Sequence, residues 1–491
     1  MSARSLTAFR ILLLGGASVA LHLGISVLQQ RIAFGPLSLW PVLLFVVATL
    51  AVFALYAKVL GLAAHRLLTR AEKRQALVFP VIIGAALILR PVATSIDLYS
   101  YLGHGYQALA GMNPYTQPVK EIADSDIGRA LMNRGWLPVH GVSPYGPLWT
   151  AIEVGIVKTT DNLRLQATAV KTIAFAFSLL SAWLIWMILG LVAPRSQLTG
   201  TLVYLWNPVI VMEFAGEGHN ESLIVAAGLA ALWLTVRAKP AASAFTLLAG
   251  ALTKITGLVA LPPLLVYAWR TATDRPRLVV RLTVAGACAG AIGALLFAPW
   301  WVGPATLDGL LEHGRPNILP STLGVLFLYL IQSHSPEASA KLLSLVAGAA
   351  MTAVTIVASM RATDIKGLFR ACAIMSVAYL LLAPVYWPWY VALPTAMLAL
   401  TPSNTSMTIV FAFSVASRLA SPLDRLRLNG LTGWPEIVVA ITIVGLWLPA
   451  VVLLAVAFTR HGSAWMTVLR NTSRGRATPT LERGSLWRRV R

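Results

Sequence analysis

Apolar runs of about 20 residues, the length a helix needs to cross a bilayer at 1.5 Å per residue, recur from Ile11 almost to Phe458. Backbone in lipid has no water to bond with, so runs that are not alternating strands must be helices that satisfy their own N–H and C=O groups. Only 12% of the residues are charged, against roughly a quarter in a soluble domain. The spacing predicts an all-α polytopic membrane protein with spans at 11–29, 38–63, 76–92, 165–193, 198–214, 221–236, 278–301, 339–360, 367–383, 386–401, 405–418 and 437–459. The first run contains Gly15-Gly16-Ala17-Ser18, and a cleaved signal peptide is the alternative to a first span. It is disfavoured because the apolar run continues past those residues.

The 39 Lys plus Arg exceed the 18 Asp plus Glu, a net charge of +21. A nucleic-acid binder would carry such a surplus on a water-compatible chain, which this is not, so no nucleic-acid partner is expected and the surplus is read as topology. Arg66, Arg70, Lys73 and Arg74 mark one basic loop, Arg237 and Lys239 a second, Arg270, Arg275, Arg277 and Arg281 a third, and Arg361, Lys366 and Arg370 a fourth. The tail beyond Arg460 is also Arg-rich, fit to contact anionic lipids. The positive-inside rule sends these loops and both termini to the cytoplasm. Most acidic residues, among them Asp97, Glu121, Glu213, Glu217 and Glu221, then fall outside. Cys288 and Cys372 both lie in apolar stretches, which leaves no disulfide framework and no cysteine metal site.

Holding that orientation leaves three short segments. Leu148–Val157 reaches only about 15 Å as a helix and is expected at the outer interface. Ser321–Gln332 is similarly short. Pro240–Trp269, with basic flanks on both sides, must be a hairpin of two half-length helices. Its tip carries Lys254, and an ionisable residue at membrane depth is a functional candidate. The organisation expected is an N-terminal transmembrane unit (1–92), an external loop with interfacial helices (93–160), a transmembrane core (161–401), C-terminal spans (402–460) and a basic tail (461–491).

The loop after Ala93 is the longest polar excursion, and its aromatic residues and prolines argue against a linker. It holds Asp97 with Tyr99 and Tyr101, then Asn113-Pro114-Tyr115, then Ser143-Pro144-Tyr145-Gly146-Pro147. Asp97 is suited to accept a proton from a hydroxyl nucleophile; equally, it is suited to cap the helix that follows. Trp206-Asn207-Pro208 precedes a cluster of Glu213, Glu217, His219, Asn220 and Glu221, which reads as a sugar-binding loop, a solvated turn or, less well, a metal site. Trp387, Trp389 and Tyr390 are interface anchors or stacking surfaces for a sugar or prenyl chain. Arg315 is the external cation expected near a phosphate.

Taken in order, these motifs resemble the GT-C superfamily of membrane glycosyltransferases, and within it the polyprenol-phosphomannose-dependent α-1,6-mannosyltransferases of the MptA and MptB kind. The resemblance runs from Asp97 to Tyr390; the family more often has Asp where this chain has Glu221. It implies a GT-C type bundle of about 12–14 transmembrane helices with a long external first catalytic loop. It further implies a multi-pass cytoplasmic-membrane enzyme that transfers a sugar from polyprenyl phosphate to a glycan or glycolipid acceptor, with inversion and without a metal or other cofactor. Asp97 matches the family's general base, and Lys254 a lysine that contacts the lipid phosphate. The acceptor and sugar would meet Tyr99, Tyr101, Asn113, Tyr115, Tyr145, Glu217, His219, Asn220, Glu221, Trp387, Trp389 and Tyr390. A secondary transporter or a lipid-linked glycan polymerase is the competing reading. Against transport stand the lack of an internal repeat and the gathering of polar residues on one side.

Overall fold

The computed structural model of the chain describes residues 3–35, 38–65, 68–138, 141–311, 336–383 and 386–428. Among these every regular element is helical. The chain is an all-α polytopic membrane protein. It begins with α1 (Ala3–Phe34), α2 (Leu39–His65) and α3 (Arg70–Ile88), which pack on one another. The third helix starts six residues before the apolar run at 76 because Thr69 and Glu72 form a capping box, the Thr69 hydroxyl accepting from the Glu72 N–H while the Glu72 carboxylate accepts from the Thr69 N–H.

The loop that follows is folded, not extended. It contains α4 (Asp97–Leu109), α5 (Asp126–Met132) and α6 (Pro147–Thr159), with Leu98, Tyr101, Leu102, Leu131, Trp136 and Trp149 forming a core of their own. Helices α4 and α6 meet closely because Gly105 carries no Cβ; one there would come within 2.8 Å of the Glu153 carbonyl oxygen. Beyond it, α7 (Leu163–Val192) crosses the molecule and is followed by α8 (Gln197–Leu205) and α9 (Pro208–Val211), the latter continuing into a π-helical turn at Met212–Gly216.

The single span expected at 198–214 is broken: the two halves meet at 52°. Trp206-Asn207-Pro208 explains the break. Pro208 supplies no N–H, so the helix cannot propagate through it, and Asn207 recaps the chain by accepting the Val209 N–H at 3.0 Å. The carbonyls that lose partners are met by side chains. Tyr56 donates to Val203 O at 2.6 Å, and the Trp206 indole N–H donates to Ala76 O in α3, which lacks its own donor because the residue four further on is Pro80.

Next come α10 (Glu221–Val236) and α11 (Pro240–Ala251), then a 3₁₀ turn at Ile255–Ala260 leading into α12 (Leu261–Thr271), so that Pro240–Trp269 is the expected pair of short helices with Lys254 at its tip. The chain continues as α13 (Arg275–Phe297), α14 (Asp308–Leu311), α15 (Pro336–Met360), α16 (Ile365–Leu382), α17 (Ala392–Ala399) and α18 (Asn404–Leu428). The run expected as a span at 386–401 is therefore a turn plus a two-turn helix, shortened by Pro388, while the run at 405–418 extends ten residues further. Arg315, the segment 321–332, the run at 437–459 and the tail lie outside the described residues.

Among the described residues six helices are long and apolar enough to cross a membrane: α1, α2, α7, α13, α15 and α16; counting the bent pair makes seven. Their outer faces carry exposed Trp40, Leu44, Val47, Val280, Val284, Leu295, Leu345 and Val346, side chains that water would penalise and lipid would not. The interior is the opposite. Residues 201 to 226 of α8 through the start of α10 are buried without interruption, including every charged residue among them.

Candidate active site

The polar interior gathers at one place, where α4, the turn before α10, the hairpin tip and the 386–391 segment meet. Asp97 is the first residue of α4. The capping expectation is corrected here: the cap position is Ile96, which makes no side-chain bond, and the Asp97 carboxylate turns away to accept from the Tyr145 hydroxyl at 3.3 Å. Its position in the first turn still suits the helix dipole. The side chain remains 14% exposed, so it is the open member of an otherwise closed cluster.

Tyr145 is held by main-chain contacts. In Ser143-Pro144-Tyr145-Gly146-Pro147, Gly146 N–H donates to Thr253 O at 2.8 Å and Leu148 N–H donates to Leu252 O at 3.0 Å. A Cβ at Gly146 would lie 2.1 Å from the Leu252 carbonyl oxygen, so only glycine allows the approach. The contact lays the loop across the hairpin tip and brings Lys254 over the Tyr145 ring, 5.7 Å from its centroid. Lys254 donates to Glu221 at 2.6 Å, lies 3.5 Å from the Tyr390 hydroxyl and sits 4.8 Å above the Tyr390 ring. Tyr101 packs edge-on against both Tyr145 and Trp149. Burial, then the charge of Asp97, pushes the Tyr101 and Tyr145 hydroxyls well above the usual phenol range, so neither serves as a base.

The three carboxylates of the 213–221 stretch do not converge on one point, as a metal site would need; each has its own partner. Glu217 accepts from the backbone N–H groups of Ala93, Thr94 and Ser95 at 2.9 to 3.4 Å, and so fixes the entry to the loop that carries Asp97. Glu221 takes Lys254. Glu213 pairs with Arg418 at 2.6 Å and with His219 at 3.2 Å. The reversal between them is made by Gly218, whose φ of +80° suits glycine, and it places His219 Nδ1 3.8 Å from Asp97. Burial works against a charged His219, but the contact with Glu213 and the charges of Glu213, Asp97 and Glu221 outweigh it and raise the imidazole above its ordinary value. The ring is stacked on Trp389 at 3.6 Å, and Trp389 stacks in turn on Trp387. Asn220 is fully buried beside them with neither amide atom partnered.

Asp97, Tyr101, Tyr145, His219, Glu221, Lys254, Trp389 and Tyr390 are thus brought into one cluster. Tyr99, two residues from Asp97, faces the charges of Arg134 and Glu217 instead. Asn113 and Tyr115 brace the loop: the Asn113 amide donates to Trp300 O at 2.8 Å, and Tyr115 donates to Thr150 and packs on Phe297 and Trp300. Sequence reasoning overlooked Arg418 and Glu153. Arg418 lies at the end of an apolar run and is 1% exposed, a charge in such a run being the signal that could have found it. Glu153 is buried in α6 with both carboxylate oxygens unpartnered, and burial drives it well above the usual carboxylate range.

The family model described as "Alpha-(1->6)-mannopyranosyltransferase, N-terminal domain" matches residues 5–271, which hold every member of this cluster up to Lys254. Among individual proteins, Alpha-(1->6)-mannopyranosyltransferase A of Corynebacterium glutamicum is 30% identical over 196 residues, 38% of this chain and 36% of that one. The Mycobacterium tuberculosis protein of the same name is 27% identical over 219 residues, 44% of this chain and 41% of the relative. Alpha-(1->6)-mannopyranosyltransferase B of Corynebacterium glutamicum is 26% identical over 158 residues, 32% and 25% of the two chains. The matched segments span less than half the length of each of these relatives.

Proposed function

Because this chain belongs to the alpha-(1->6)-mannopyranosyltransferase family, we propose that it transfers mannose from a polyprenyl-phosphate donor to a hydroxyl of a glycan or glycolipid acceptor, with inversion. The observation that carries the reading is the single partly open carboxylate, Asp97, in a cluster that otherwise excludes water. In the proposed step the acceptor oxygen forms a bond to the anomeric carbon as its proton passes to Asp97. On the opposite side of the ring the bond from that carbon to the phosphate oxygen breaks, and polyprenyl phosphate leaves with the electron pair. One displacement gives inversion, as in single-displacement glycoside chemistry.

A developing phosphate charge needs cations placed in advance. Lys254 is the first cation proposed for it; its N–H groups go to Glu221 and, more weakly, to the Tyr390 hydroxyl, and the ammonium can turn a third toward a ligand. Arg315 is proposed as the second. Trp389 lies between Trp387 and His219, which leaves the outer face of Trp387 as the stacking surface for a sugar or prenyl chain. The basic loops support an active site on the external face of the cytoplasmic membrane with both termini inside. A lipid-borne sugar suits that side, which cytoplasmic nucleotide sugars do not reach.

The test is release of polyprenyl phosphate from a short-chain polyprenyl phosphomannose, with an α-mannoside acceptor, by the wild type and Asp97→Asn. Turnover should vanish in the variant while yield and thermal midpoint stay unchanged. Retained turnover would remove Asp97 from the mechanism, and an inactive wild type on this donor and others would sink the transferase reading.

A further inference from the structure

Four side chains from three distant parts of the sequence form a line of alternating charge. Asp97 lies 3.8 Å from His219 Nδ1, His219 Nε2 lies 3.2 Å from Glu213, and Glu213 Oε1 lies 2.6 Å from Arg418 Nη1. Glu213 and Arg418 are 205 positions apart and are 2% and 1% exposed, while the His219 side chain is fully covered. Burying a carboxylate and a guanidinium in a membrane protein costs several kcal/mol per ion before their attraction is counted. Apolar residues would fill the same volume without that cost, so the pair calls for a role beyond packing.

We propose that Glu213 and Arg418 are positioning residues that hold His219 in place and charged against Asp97. The proposal rests on the reading of Asp97 as the base. Three carboxylates bear on the His219 ring: Asp97 from α4, Glu213 from the π-helical turn and Glu221 from the start of α10. The cations around the cluster are Lys254 at the hairpin tip, Arg418 from α18 and Lys171 from α7, which lies against Gly218 and feels Glu217. A charged His219 fits the upward direction that its contact with Glu213 and the charges of Glu213, Asp97 and Glu221 impose on the ring.

Geometry sets which way the ring turns. With Nε2 toward Glu213 and its face on Trp389, the ring directs Nδ1 to Asp97. Arg418 fixes Glu213 through Nη1, so the orientation is transmitted from α18 to the base across three ion pairs. Without Arg418 the Glu213 carboxylate is free to rotate, and without Glu213 the ring loses both its anchor and its counter-charge.

The experiment uses ¹⁵N-histidine-labelled full-length protein in lipid nanodiscs. The His219 resonances are identified by their loss in His219→Asn, and its titration is compared between the wild type and Glu213→Gln. Wild-type His219 is expected to stay imidazolium above the midpoint of an ordinary histidine, and in Glu213→Gln to titrate below it. A neutral wild-type ring at pH 7, or identical titrations in both proteins, overturns the proposal, and the wild-type spectrum alone decides if the variant does not fold. Turnover gives the second readout: the alkaline limb of the kcat profile moves toward neutrality by about one pH unit or more in Glu213→Gln, with little change in KM. For Arg418→Gln a loss in kcat of about tenfold or more is expected, largely recovered in Arg418→Lys; full turnover in Arg418→Gln overturns the part assigned to it. If the titrations behave as expected but Asp97→Asn remains fully active, the charge line stands and the base assignment falls.

Discussion

A lysine whose nitrogen lies 2.6 Å from a buried carboxylate does not lend itself to simple deletion. Lys254→Met would strand Glu221 as an unpaired buried charge, and breaking such a pair costs about 3–5 kcal/mol. The single variant should therefore lose thermal stability as well as donor use. Lys254→Met combined with Glu221→Gln should recover most of the thermal midpoint and leave the donor KM raised, which separates the lysine's two roles; recovery of wild-type KM would deny it a phosphate. Glu153 presents the reverse case, a buried carboxyl beside the Trp149 indole but with no cation paired to it. Because folding raises its pKa, the folded state holds the proton more tightly than the unfolded chain, and stability falls as pH rises from the ordinary carboxylate value toward the folded one. Glu153→Gln should accordingly raise the unfolding free energy at neutral pH, by about 1.4 kcal/mol for each pH unit of that window, and do nothing below about pH 4. A neutral or destabilising effect at pH 7 would mean that Glu153 has a partner when folded. Residues such as Lys254 and Asp97 were legible in the sequence because each is a lone ionisable group beside apolar runs. Their partners were not, since Glu221, Tyr145 and His219 reach them by the folding back of separate loops, and spacing along the chain says nothing of that.

At the scale of elements, the motifs explain interruptions better than they explain helices. Trp206-Asn207-Pro208, read in the sequence as preceding the Glu213–Glu221 cluster, proves to be a helix break whose three residues respectively fill a carbonyl in α3, cap α9 and stop α8. Asn113-Pro114-Tyr115 is likewise a brace against the end of α13. The sequence shows that such places are special, because proline and asparagine punctuate an apolar pattern, but a missing N–H does not say whose side chain will answer it. Gly146 is the sharpest test of this kind. Adding one methyl group there forces the loop off the Leu252 carbonyl, so Gly146→Ala should cut turnover on the order of a hundredfold through displacement of Tyr145, with the transmembrane helices intact by circular dichroism. Normal kinetics in that variant would mean that the loop and the hairpin need not touch.

For the molecule as a whole, hydropathy foretold the class and the basic flanks foretold the pair of short helices around Lys254, while the lengths of several crossings came out differently. The run at 386–401 reads as a span by composition, yet it yields a helix of only eight residues, buried by neighbours on all sides. A fully buried segment and a lipid-facing one have the same apolar composition, so the sequence does not tell them apart. The surface does: α13 turns Val280, Val284 and Leu295 outward, whereas α10 exposes almost nothing. Val284→Asp should lower membrane insertion by about 2.5–3.5 kcal/mol, seen as lost yield in the membrane fraction, while Val284→Leu should leave it unchanged. Equal yields would place that face against protein.

Two main-chain bonds join the segment bearing Tyr145 to the tip bearing Lys254. A joint of that kind asks of its residues only that one of them be glycine, and it is indifferent to every other side chain on either part. Base and cation can therefore stay in register while the walls around them are rewritten, residue by residue, to admit a different sugar. Within such a lineage the chemistry would be inherited through the backbone and the specificity through the side chains, and the two could evolve separately.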